Sequence, residues 1–435
     1  MMSTSPRNAR HGAGKAVCHT ISDFLVIVLI ITPAVNLFWR GTWNIMYEYL
    51  VPEDIIISSW LSLAIGSPVL LLAGLLQHPI RRLGSWIHGK SKGWHHLYLA
   101  VYVYVVASAS VAQWRGFWNL PTYYFPEWVS IPGYGVTAVI GTGLMVGLRI
   151  FSNGGGCPAG IVVDFEPDPF RVPLRFHTDR AERFSWRFAL DVFLSVFVFD
   201  LISLAYWAGY WGLLDVLMFP EDLCFSYWVS LGIGYAIHLV TIFLQFPVHK
   251  ASRNLRGAKR DFWKRLALED AFLFVVNFGV VNSWRGLWDL YDCYFLPDQP
   301  KLSAWLSVGI GALLCYLLRA GRTLGGIGVT VDGEKEDGTG VLLSTYAEGH
   351  EMLPWLKHLR KREGDDSGNF VALRTFDTEG SRKATDHASA SDLAGNQGTA
   401  ADLIKCSANT EYFRHYQPLR VAGKIVEIIQ IESTV

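Results

Sequence analysis

Eight stretches of the chain, roughly 22–39, 55–77, 96–114, 132–150, 186–207, 225–247, 270–288 and 303–321, are apolar over the length of a bilayer-crossing helix. A bilayer core offers no water to backbone groups, so such stretches are confined to helices. Composition agrees: 51% of residues are hydrophobic and 17% charged, against about 25% charged in an ordinary soluble chain. A formal net charge of zero excludes a general nucleic-acid binder. The expected fold is an all-α integral membrane protein with eight transmembrane helices, its bilayer partner set by the apolar blocks. The first block ends in Trp39 without a small-residue cleavage site and reads as a retained span.

Basic residues set an expected orientation. The N-terminal arm and segments 78–94, 149–187 and 248–268 carry twenty Lys and Arg, the alternate loops four, so the positive-inside rule places both termini in the cytosol. The chain then divides into an arm (1–21), a first four-span half (22–150), a Gly/Pro-containing linker (151–185), a second half (186–322) and a largely disordered cytosolic tail (323–435).

One phrase recurs four times, as FWRGTWNI, QWRGFWNL, YWAGYWGL and SWRGLWDL. Counted from its first tryptophan (Trp39, Trp114, Trp207, Trp284), glycine follows two positions on (Gly41, Gly116, Gly209, Gly286) and tryptophan four on (Trp43, Trp118, Trp211, Trp288). Arginine stands between them as Arg40, Arg115 and Arg285, with Ala208 in the third copy. Ser or Thr comes at twenty-three (Ser62, Thr137, Ser230, Ser307) and glycine at twenty-seven (Gly66, Gly141, Gly234, Gly311). Each unit reads as a helical hairpin, and the four group into two parallel four-span halves, because Trp39 to Trp207 and Asp23 to Asp191 are both 168 residues apart. The phrase is expected to act as an interfacial anchor and helix stop in the aromatic belt; the alternative is a ring around an outer vestibule. The Ser/Thr–xxx–Gly pairs are expected to let helix backbones approach.

Intramembrane ionisable groups are the natural functional candidates, and Asp200 with His238 as its partner is the clearest pair. The glycine-rich NGGGCPAG, Asn153 to Gly160, lacks a Walker lysine and reads as a tight turn. No HExxH, CxxC or GxSxG pattern occurs, so neither catalysis, nor a cofactor, nor a metal is expected. Cys224 and Cys293 fall on the outer side and are a candidate disulfide. Cys157 is expected near the cytosolic surface. The terminal Ser433-Thr434-Val435 has the form read by a PDZ scaffold.

Eight spans with cytosolic termini, the W-R-G-x-W phrases and the glycine-rich segment after the fourth span resemble the Fuseless family of invertebrate neuronal membrane proteins, over about residues 20–335. The resemblance implies a non-enzymatic presynaptic plasma-membrane protein that supports neurotransmitter release and the placement of voltage-gated calcium channels. It brings no catalytic residue or cofactor. The alternative is a secondary transporter or channel using Asp200 and His238 in the bundle interior.

Overall fold

The computed structural model describes residues 21–164, 168–180, 184–255, 259–326, 328–344 and 346. Ser433, Thr434 and Val435 lie outside the described residues. Among the described residues nine helices carry the fold: α1 Ile21–Tyr49, α2 Ile55–Leu75, α3 Gln77–Lys90, α4 Lys92–Tyr124, α5 Ile131–Gly147, α6 Trp186–Leu217, α7 Leu223–Asn254, α8 Lys259–Tyr294 and α9 Pro300–Leu317. Seven of them are long and apolar enough to cross a membrane, while α5, apolar along its 17 residues, is shorter. Their outward faces stay greasy: Leu29, Ile65, Val139, Val240 and Leu313 are each more than half exposed. Such surface is stable only against lipid or another apolar partner, as a multi-pass membrane protein requires.

Local sequence sets the helix starts. Asp54, Ser91, Ser130, Ser185 and Asp222 each stand at an N-cap and accept from a backbone N–H of the first turn. At the same end of the bundle, Val51, Phe219 and Leu296 each precede a proline and adopt a left-handed φ of 49°, 47° and 53°. Side chains rarely tolerate that region, a β-branched valine least of all. Three turns sharing the same strain mark three copies of one device. This end is called the hairpin end below, and its opposite the glycine end.

Four helices (α1, α4, α6, α8) form an inner ring, and four (α9, α2, α5, α7) lie against it from outside. The tightest pairs are α1 with α9, α2 with α4, α5 with α6, and α7 with α8. The sequence reading grouped each span with its own returning span, but the close packing joins neighbouring units instead, and the last spanning helix closes the circle onto the first. Glycines explain the choice. A Cβ on Gly41 would stand 2.7 Å from the Ala304 carbonyl, and one on Gly311 2.5 Å from that of Ala34. Equivalent approaches join Gly66 to Ala109, Gly116 to Ser59, Gly141 to Tyr206, Gly209 to Ala138, Gly234 to Ser283 and Gly286 to Leu231. Small residues at these positions let two backbones touch.

The expectation of a helix stop at the W-R-G-x-W phrase is overturned. Each copy lies inside a continuous helix, and α1, α4, α6 and α8 run on to Tyr49, Tyr124, Leu217 and Tyr294. Hydropathy ended these spans early because it counts Arg and Asn as polar, whereas here they face protein.

The boundary at 323 also moves. Val329 donates to the Pro173 carbonyl, Val341 is fully buried, Leu343 donates to Gln245, and the Tyr346 N–H reaches Asp23 at the start of α1. Gln77 accepts from Val172 of the linker as Gln245 accepts from Leu343, so linker and early tail wrap the two halves alike. Cys224 and Cys293 are bonded, fastening the start of α7 to the end of α8.

Candidate functional site

A helix turns 100° per residue, which gives every letter of the phrase its own direction. The two tryptophans, four apart, share one face. The arginine points sideways along the ring, and the glycine points nearly opposite the tryptophans, toward the outer helix. Four inner helices therefore aim eight indoles at a common axis. Trp39, Trp114, Trp207 and Trp284 close one ring of edge-to-face contacts, with centroids 5.5–5.7 Å apart. One turn nearer the hairpin end, Trp43, Trp118, Trp211 and Trp288 close a second ring at 5.6–6.4 Å. Edge-to-face pairs contribute about 0.5–1.5 kcal/mol each beyond burial. The aromatic-belt assignment is thus corrected: these indoles meet each other, not headgroups.

Buried indole N–H groups need acceptors. Those of the first ring find them on the glycine side. Trp39 donates to the Leu324 carbonyl (2.7 Å), Trp207 to that of Gly154 (3.0 Å), Trp284 to that of Cys157 (2.7 Å) and Trp114 to the Asp200 carboxylate (2.9 Å). Two glycine-rich segments, one after α5 and one after α9, enter the bundle to supply those carbonyls. Glycine is required there: a Cβ on Gly325 would stand 2.8 Å from the Ala107 backbone, and one on Gly155 2.7 Å from the Asn277 amide oxygen. Cys157, expected near the surface, is buried and lies 3.0 Å from the Thr32 hydroxyl. NGGGCPAG is therefore a central plug element, not an ordinary turn.

Each segment is held by the other half. Asp332 accepts from the N–H of Phe151 and of Ser152, and Asp164 from Gly321 and Arg322. Asp164 in turn donates its N–H to the Arg319 carbonyl, and Asp332 to that of Arg149, both at 2.8 Å. Arg149 and Arg319 are left-handed, with φ of 57° and 51°, so the chain turns sharply into each segment. Burial pushes the Asp164 and Asp332 carboxyls above their ordinary values, and these N–H donors act in the opposite direction. The sequence pattern singled out only the first segment and gave these two aspartates no role. Their signal was the Val-Asp pair that ends both segments, Val163-Asp164 and Val331-Asp332, shortly after Arg149 and Arg319.

The arginines form a buried girdle. Arg40 donates to Asp292 (2.7 Å), Ser303 and Ser307; Arg285 to Asp215 (2.7 Å) and Ser226; Arg115 to both oxygens of Ser58 and to Ser62 (2.6 Å). Each arginine thus addresses the outer helix beside it and a position on the preceding inner helix. That position holds Asp292 and Asp215, and on α1, the inner helix before Arg115, the matching residue is Tyr47. In the third unit Ala208 replaces arginine, and the facing helix presents Gly133 and Thr137 where the others present two serines. Both sides of that contact changed together. The packing serines are arginine acceptors as well: Ser62 and Ser307 bond guanidinium groups, and Ser230 donates to Asn282.

The expected Asp200–His238 partnership is not formed. Asp200 accepts from Gln113 (2.8 Å) and Trp114 on α4. His238 is 1% exposed on α7 and packs against Gly279 of α8. Both residues line a cavity of about 2840 Å³ that also touches both tryptophan rings, the glycine segments, and Asn44, Tyr47, Asn119, Thr122 and Tyr134 at the hairpin end. Among the described residues no cluster of three His, Cys, Asp or Glu is arranged to hold a metal.

Arg115 depends on hydroxyl and carbonyl acceptors alone, whereas Arg40 has a carboxylate. Ser62→Ala is therefore expected to destabilise the purified protein by about 1.5–3 kcal/mol, the value of a hydrogen bond to a charged group, and Ser307→Ala by less. Thermal unfolding in detergent measures both; an equal or reversed order would remove the distinction between the two guanidinium sites.

Comparison with curated proteins returns no match, and neither does comparison with solved structures. The family model described as Fuseless matches residues 18–324, more than half of the chain and nearly all of the helical bundle. The protein belongs to the Fuseless family.

Proposed function

We propose that this chain is a non-enzymatic plasma-membrane protein of the presynaptic terminal, supporting neurotransmitter release and the placement of voltage-gated calcium channels. The family match over residues 18–324 carries the reading. The interior is consistent with it: Arg40 with Asp292 and Arg285 with Asp215 hold one another, and the phrase tryptophans pack on each other. Eight spans with both termini cytosolic are part of the proposal, supported by basic residues concentrated at the glycine end. The Ser433–Val435 stretch is a candidate PDZ ligand, and no part of the reading rests on it.

Orientation is checked in intact cells with a membrane-impermeant thiol reagent. A cysteine at Thr122 should be labelled and one at Lys92 should not; the reverse pattern overturns the cytosolic placement. The cellular role is checked by removing the protein from nerve terminals. Calcium-channel density at release sites and evoked release should both fall, and the full chain should restore them. Unchanged channel density on removal would refute the role.

A second reading, a solute pathway, is favoured by the cavity that touches residues at both ends of the bundle. Asp200 lies in its wall, tied to the first tryptophan ring through Trp114. Reconstituted liposomes test it: solute flux that Asp200→Asn abolishes would favour transport, and absence of flux across ammonium, inorganic cation and anion probes would remove it.

A further inference from the structure

The second tryptophan ring has a floor-like position with a polar collar above it. One residue beyond the ring tryptophans stand Asn44, Asn119, Gly212 and Asp289, and a turn further on Tyr47, Thr122, Asp215 and Asp292; all eight line the cavity. The Tyr134 ring fills the space above Gly212, where an added Cβ would collide with it. At the level next to the ring three walls are thus neutral (Asn44, Asn119, and Tyr134 over Gly212) and the fourth carries Asp289, with Asp215 and Asp292 a turn beyond.

Charge here does not pair off: Arg115 bonds only serine and carbonyl oxygens, and one carboxylate has no guanidinium. Arg40 is engaged by Asp292 and Arg285 by Asp215, at 2.7 Å each. Asp289 is left over: it is 7% exposed, lines the cavity, and neither a hydrogen bond nor an ion pair is made to it among the described residues. A buried carboxylate without a partner is costly unless a counter-charge completes it.

We propose that the collar above Trp43, Trp118, Trp211 and Trp288 binds a small organic ammonium ion, with Asp289 as its counter-ion and the indoles as its floor. Indole is the aromatic ring that best attracts a cation, and the attraction grows when water is excluded. One unpartnered carboxylate suits one monovalent charge. A divalent metal would ask for several oxygen ligands around it, and no cluster of three His, Cys, Asp or Glu is arranged for one among the described residues. Asn119, already donating to Ser59 on the opposite wall, and Thr122 supply polar contacts for an N–H or hydroxyl of the ligand. Access to the site rests on the cavity reading above, whereas occupancy needs no flux.

The test uses the full-length protein in lipid nanodiscs, titrated with tetramethylammonium and propylammonium, and with tert-butanol as a neutral analogue of similar shape. Ring tryptophans border the site, so intrinsic tryptophan emission reports binding, with calorimetry as an independent readout. Saturable binding of at least one ammonium ion is expected, with Asp289→Asn weakening it tenfold or more. Asn119→Asp, which adds a second carboxylate to the same collar, should tighten it at least threefold. Lack of saturable ammonium binding to the wild-type protein overturns the proposal, as does equal binding of tert-butanol. Sodium or potassium competing at matching affinity overturns the ammonium class. Should Asp289→Asn fail to fold, unchanged affinity in Asn119→Asp is the overturning result. Binding by protein that shows no flux in liposomes supports the site and removes only the pathway reading.

Discussion

Indole hydrogen bonding at the axis is the constraint on which the rest depends. Eight tryptophans aimed at one line can pack edge to face only if the inner helices keep a fixed spacing, and the first ring's N–H groups must then find acceptors away from water. Carbonyls of two glycine-rich segments and the Asp200 carboxylate provide them. From that follow the sharp left-handed entry at Arg149 and Arg319 and the aspartates that clasp each segment from the opposite half. Glycine on the far side of each phrase then admits the outer helix, and arginine between the two tryptophans stitches neighbours together.

The girdle illustrates how a membrane interior handles cations. Three guanidinium groups with at most 4% exposure sit among serine hydroxyls, backbone carbonyls and only two carboxylates. In hydrocarbon an unpaired arginine would be expensive, so each copy of the phrase requires its acceptors on a different unit. The copy that lost arginine lost the facing serine too, since Gly133 stands where Ser58, Ser226 and Ser303 stand elsewhere. A hydroxyl with no donor to accept from is itself a liability in a dry contact.

Much of this was legible in the sequence. The helical class followed from apolar block length, and the glycine approaches followed from Ser/Thr–xxx–Gly spacing. The Cys224–Cys293 bridge sits where loop assignment put both thiols. The direction of the phrase was not legible, because a Trp-Arg-Gly-x-Trp turn carries the same hydropathy whether it faces headgroups or an axis. Contacts far apart in the chain distinguish the two: indole against indole, and Arg40 with Ser303 and Ser307. The Asp200–His238 partnership failed for a related reason: hydropathy identifies costly residues but not the helix face they occupy, and Gln113 and Trp114 claimed the carboxylate. The tail boundary failed because polar, glycine-bearing segments such as 328–344 look unstructured until Asp23 and Gln245 offer them acceptors.

Packing of α1 against α9 has a consequence for biosynthesis. A chain threaded into the bilayer as it is made presents Arg40 first, yet its acceptors Asp292, Ser303 and Ser307 lie 252, 263 and 267 residues downstream. At ribosomal speeds of about 5–20 residues per second, the guanidinium waits roughly 13–50 s for them. During that interval α1 has no closing partner, so the nascent half-bundle carries an open seam. A chain stopped before α9 never shuts it: Arg40 then has Asp292 of α8 but neither the Ser303 nor the Ser307 hydroxyl, and the Gly41 face of α1 has no helix to close on.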